Sequence, residues 1–431
     1  MWLFSRHAQE NPPTSYGMSR VKAALTAHAR ASAASVLVNA ATSFTMSAFL
    51  LATLSPFEFG LYTIAIALSY LLMGFATAVF ATPMVLQLNH EDIADRDECL
   101  RRYLQALTLT TAAIAVPALA LCWIVDILAG GAFPFLLSLS SFVFAVGLSC
   151  RDLLLRHSQA VDGGWYGLIL STAIGATVAL SYGLAFVLGI SLEAWQALLI
   201  AAMATLAPVS LYAARHLAGG FLPIGEVVRI LERGRWNAIS HTVKSGRGYL
   251  YPLVVVHQIG PIGIAHINAA RLFQTPAFVV NTALSIQSLP ALVRASRHSK
   301  DFLSWPYISV ALKLASVAAL LSGLGYLGYT VGHQTLRAGY QGLAGYVLAW
   351  GAIALLTAWW TARENILIAT AHFRRMALMD AVLAAYSIAL LAILSHMHGT
   401  NGAIAALVIG ETTYLLAVEL LLWRTSSAKR P

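Results

Sequence analysis

The chain has 431 residues, 58% hydrophobic and only 10% charged, with a formal charge of +9. A soluble domain carries about 25% charged residues, so this composition excludes a soluble enzyme and a nucleic-acid-binding domain. Apolar runs long enough to cross about 30 Å of hydrocarbon recur along the whole length. They predict an all-α polytopic membrane protein of twelve spans.

In chain order the spans fall at 31–53, 59–88, 103–125, 133–156, 164–188, 194–214, 236–259, 264–292, 305–331, 340–362, 377–397 and 402–423. Residues 1–30 read as a basic tail with Pro12 and Pro13 and no apolar signal-peptide core. With that tail in the cytoplasm, 22 of the 27 Lys and Arg fall in cytoplasmic segments and one, Arg337, falls outside. The positive-inside rule therefore places both termini in the cytoplasm, with the membrane expected to be a bacterial inner membrane. The net charge is a collar against anionic lipid headgroups.

The chain repeats itself. Segment 215–235 is the most polar long connection, with six spans on either side: lobes at 31–214 and 236–424, then a short tail at 425–431. Pro56 and Pro261 are 205 residues apart, and both sit in tight turns. Arg151-Asp152 corresponds to Arg363-Glu364, Gly189 to Gly399 and Arg215 to Arg424. Six spans per lobe gives both lobes the same orientation. A pseudo-twofold axis along the membrane normal then relates them, as in parallel-repeat alternating-access carriers.

The turn itself, Leu54-Ser55-Pro56-Phe57-Glu58-Phe59-Gly60-Leu61-Tyr62, leads directly into a long span. It resembles the first periplasmic turn of the polysaccharide-transporter branch of the multidrug/oligosaccharidyl-lipid/polysaccharide exporter superfamily, where L-G-P-x-x-F/Y-G-x-Y is usual. Ser55 replaces the usual glycine, and the chain has twelve spans where many relatives have fourteen. The resemblance implies a flippase moving lipid-linked oligosaccharides from the cytoplasmic to the outer leaflet through a cation-lined cavity. Its implied partners are that glycolipid, membrane lipids, and a polymerase and glycosyltransferases of the same pathway. The major facilitator group shares the repeat orientation but usually carries a glycine-rich basic loop after its second span. Residues 89–98 contain no glycine.

Four cations lie inside spans and away from their ends: Lys244, Arg247, Arg271 and Lys313. Each costs a few kcal/mol near the bilayer centre by insertion scales unless it faces protein or water. Lys244, Arg247 and Tyr251 share a face of the seventh span, with the two cations about 12 and 17 Å deep. Gly246, Gly248 and Pro252 predict a local break there. Arg271, about 10 Å into the eighth span from the other side, shares a polar stripe with Gln274, Asn281, Ser285 and Ser288. These residues, with Asn39 of the first span, form the candidate substrate site. An arginine fork matches phosphate oxygens and stays charged. Glu411, deep in the twelfth span, is the candidate for coupling to a proton. It also keeps a drug or cation exporter open as the alternative, since such carriers usually need deep carboxylates. Lys313 is close enough to a span end to snorkel. The short outer loops argue against a membrane glycosyltransferase or polymerase. The three cysteines show no metal or redox spacing. The G-x-G-x-x-G string at 323–328 lies inside a span with no preceding strand. No cofactor or metal is expected, and the chain reads as a carrier rather than an enzyme.

Overall fold

The computed structural model describes residues 15–90, 96–128, 135–161, 164–217, 222–298, 305–333, 340, 342–369 and 373–427. These form helices and turns, with no strand among them. Nine helical runs among the described residues are long and apolar enough to cross a membrane. Two of them hold a pair of spans each. The helix Ile224–His298 has 75 residues and would be about 112 Å long if straight; it breaks at Gly260 (φ 77°, ψ 176°). Phe373–Ser427 breaks in the same way at Gly399 (φ 58°, ψ −136°). With the third span inside the helix Arg96–Leu128, the chain is a twelve-helix, multi-pass membrane protein. The break expected around Gly248–Pro252 does not form: non-helical backbone in this helix is confined to Gly260. Pro252 removes one hydrogen bond, and the flanking i to i−4 bonds keep the helix continuous.

The two prolines of the repeat open corresponding turns, by different chemistry. In the first, Ser55 caps the helix Pro56–Ala76, its hydroxyl accepting from the Glu58 amide at 3.2 Å, with Pro56 in the first turn. In the second, Gly260 takes a left-handed φ before Pro261. The other matched glycines, Gly189 (φ 65°) and Gly399 (φ 58°), share a positive φ. Glu58, inside the motif, also accepts from the Ala194 amide at 2.7 Å and so caps the sixth-span helix Ala194–Leu217.

The lobes meet mainly where the second span packs on the seventh and eighth. At one end a Cβ on Gly60 would stand 2.0 Å from the Pro261 carbonyl oxygen, so the two turns touch backbone to backbone. At the other end the second span widens into a π turn, Thr77–Ala81, before continuing as Thr82–His90. There the Asn237 amide donates to the Ala78 carbonyl at 2.8 Å. The backbone of Val79 comes so close to Gly234 that a Cβ there would lie 2.5 Å from its carbonyl oxygen. The segment from Ile224 is helical and runs on into the seventh span.

The paired motifs at the ends of the fourth and tenth spans anchor helices. Asp152 accepts from the Thr77 hydroxyl at 2.6 Å and from Arg156 at 2.9 Å. Arg363, 3% exposed, forms a fork on Glu419 at 2.8 and 2.9 Å, and Trp359 also donates to that carboxylate. Arg363 is buried while Glu419 is one-third exposed, so losing these charge-assisted hydrogen bonds in Arg363→Ala is expected to cost about 1.5–3 kcal/mol. A lowered thermal midpoint of the purified protein would show it; an unchanged midpoint would contradict the assignment.

Candidate functional site

Four helices enclose a cavity of about 320 Å³ between the lobes. The second span supplies Phe59, Tyr62, Thr63, Ile66, Ala67 and Tyr70, whose spacing of three and four residues makes one helix face. The first span adds Ser43, Phe44 and Ser47. From the other lobe come Gly248, Tyr249, Tyr251 and Pro252 of the seventh span, and Asn268, Arg271, Leu272 and Thr275 of the eighth. Tyr70 and Tyr249 stack across the lobe boundary, centroids 6.3 Å apart and planes 19° apart.

Arg271 is the one charged residue among the described lining residues, and no carboxylate accompanies it. Its guanidinium lies 5.3 Å over the Trp350 ring and donates to the Tyr251 hydroxyl at 3.4 Å. Tyr251 in turn donates to Asn268 at 2.8 Å. These are light restraints, and the side chain is exposed to the cavity.

Behind Arg271 lies a second chamber of about 180 Å³ inside the C-terminal lobe. Gly248, Tyr251 and Arg271 line both spaces and form the partition between them. The chamber's other walls include Phe278, Trp350, Thr357, Trp360, Ser387, Gly410 and Glu411. The Trp360 indole donates to Glu411 at 2.8 Å.

The structure therefore brings Tyr251 and Arg271 together at one wall and places Glu411 across the adjoining chamber. It sends other candidates elsewhere. Asn39 donates to Ser171 at 2.9 Å and ties the first span to the fifth, so it is a packing residue and not part of the cavity lining. Gln274, 1% exposed, donates to the Ser322 and Val347 carbonyls, each at 3.3 Å. Asn281 is likewise buried, and Ser285 accepts from Asn365 at 2.8 Å. The polar stripe of the eighth span below Arg271 thus faces its neighbouring helices, where small polar groups hold spans together. The side chains of Lys244 and Arg247 lie outside the described residues. Lys313 is exposed on the ninth span. The sequence reading missed the tyrosines of the second span and Trp350 and Trp360 of the tenth. The stripe Phe59, Tyr62, Thr63, Tyr70 is visible at helical spacing, but in an apolar span it has no charge to mark it.

No protein-family profile matches the chain, and no curated protein matches it by sequence. Solved structures do. The fold is similar to the lipid II flippase MurJ in an inward closed conformation, with a TM-score of 0.73 at 12% identity, covering 89% of this chain and 85% of that one. An inward-facing multidrug-resistance MATE transporter of the MOP superfamily gives 0.69 at 13% identity, over 91% and 98%. A MOP-superfamily transporter from Pyrococcus furiosus, described as having a binding pocket of reversed polarity, gives 0.56 at 12%, over 95% and 96%. The chain thus has the fold of MOP-superfamily transporters, twelve helices in two lobes.

Proposed function

We propose that the chain is a flippase carrying a lipid-linked oligosaccharide, attached through a prenyl diphosphate, from the cytoplasmic to the outer leaflet of a bacterial inner membrane. The observation that carries this reading is the inter-lobe cavity with Arg271 as its charged lining residue and no described carboxylate. Such a site attracts an anion and repels a cation. Arg271 would hold the diphosphate by charge-assisted hydrogen bonds, and Lys244 and Arg247 of the seventh span would add positive charge. Tyr70 and Tyr249 offer ring faces and hydroxyls to sugars, while the prenyl tail stays in lipid. Lobes 31–214 and 236–424 then rock about segment 215–235. An inside-negative potential favours outward movement by about 2.3 kcal/mol per negative charge per 100 mV.

The test uses the full-length protein in sealed vesicles loaded with a prenyl-diphosphate-linked glycan in one leaflet. Wild-type protein is expected to expose the glycan to an added glycosidase on the other side, and to leave a cationic dye where it was. Dye accumulation without glycan exposure would overturn the reading in favour of a drug or cation exporter. One observation favours that second reading: Glu411 stands in an aromatic-walled chamber with Trp350 and Trp360. In either case Glu411 is the candidate for coupling transport to protons.

A further inference from the structure

We propose that the chamber behind Arg271 is a sugar subsite, which takes the hexose joined directly to the diphosphate while that diphosphate sits on Arg271. The inference rests on the flippase reading and adds where the first sugar goes. Arg271 lines both spaces, so a group held by its guanidinium lies at the chamber mouth and its substituent is directed inward.

The walls suit a pyranose ring. Such a ring has apolar C–H faces and a rim of hydroxyls, and it needs aromatic surfaces with a few polar groups between them. Trp350 and Trp360 supply the surfaces; Glu411, Thr357 and Ser387 supply the polar groups. Trp360 is itself fixed by its bond to Glu411 and by a ring contact with Tyr414 at 4.5 Å. The Ser387 hydroxyl is buried with no hydrogen-bond partner among the described residues. Buried polar groups are rarely left so, which points to a polar occupant rather than lipid or empty space. Size points the same way: 180 Å³ is below the about 300–1,000 Å³ of sites for drug-sized ligands and is the scale of a single ring.

The experiment measures binding of two probes to the purified full-length protein: a short-chain prenyl diphosphate, and the same lipid with one hexose on the diphosphate. Wild type is expected to bind the glycosylated probe about ten-fold more tightly, which is 1.4 kcal/mol. A Cβ on Gly410 would already stand 3.2 Å from the Ser387 hydroxyl oxygen, so Gly410→Val fills the chamber. That variant should bind both probes equally and the bare diphosphate as well as wild type does. Ser387→Ala, which removes one atom and leaves packing intact, should narrow the preference several-fold. Equal binding of the two probes by wild type overturns the subsite and leaves the flippase reading standing. Binding of neither probe overturns both. Displacement of the glycosylated probe by tetraphenylphosphonium, lost in Glu411→Gln, would assign the chamber to cations and overturn the inference.

Discussion

Arg271→Ala is expected to abolish glycan translocation while the protein still inserts and folds. The side chain is exposed to the cavity, held by one ring contact and one long hydrogen bond, so its removal costs the fold little. It is also the charge the described cavity wall offers to an anion. Hydrogen bonds to charged groups contribute about 1.5–3 kcal/mol each, so a diphosphate should bind roughly ten- to a hundred-fold more weakly. Arg271→Lys should recover only part of this, because an ammonium keeps the charge but not the planar fork. Binding of a prenyl diphosphate and glycan exposure in vesicles would be measured side by side. Unchanged values in the alanine variant would remove Arg271 from the site.

Gly60→Val should have an effect of similar size by another route. The atoms nearest a Cβ at this position are the Pro261 carbonyl oxygen at 2.0 Å, its carbon at 2.6 Å and its Cα at 3.0 Å. All three are backbone, so no rotamer change makes room. Overpacking of this kind costs about 1–3 kcal/mol or more, and here it is relieved only by parting the lobes at their turns. The expected result is loss of transport, with cysteines placed near the turns becoming open to water-soluble reagents. Normal transport by even Gly60→Ala would show that this contact never has to close.

The places where the sequence speaks clearly are those where one residue does a job no other could. Pro56, Pro261, Gly189 and Gly399 punctuate spans at matching intervals, and each marks a turn or helix end in the structure. Arg271 announces itself because a cation in an apolar span is costly. Gln274, Asn281 and Asn39 carry the same sequence signature as a cavity lining, because a helix face turned to a wet cavity and one turned to another helix both exclude lipid. Only tertiary packing separates the two. The chamber was illegible for a related reason. Its walls come from five spans, and Trp350, Trp360 and Glu411 become one surface only once the tenth and twelfth helices are side by side.

The π turn at Thr77–Ala81 has a consequence for how one rod serves two neighbours. A π turn accommodates about one residue more than an α turn, and one residue corresponds to about 100° of rotation. The second span therefore undergoes a phase slip partway along its length. Before the slip it presents Tyr62 and Tyr70 to the cavity; at the slip it meets Asn237 and Gly234; beyond it, Gln87 accepts from Tyr103 and lines a cleft between the third span and the helix that begins at Ile224. A regular helix would hold these faces in one fixed phase. The slip gives each end its own bearing, so a single span turns one face to the cavity and a differently phased face to the helix that begins at Ile224.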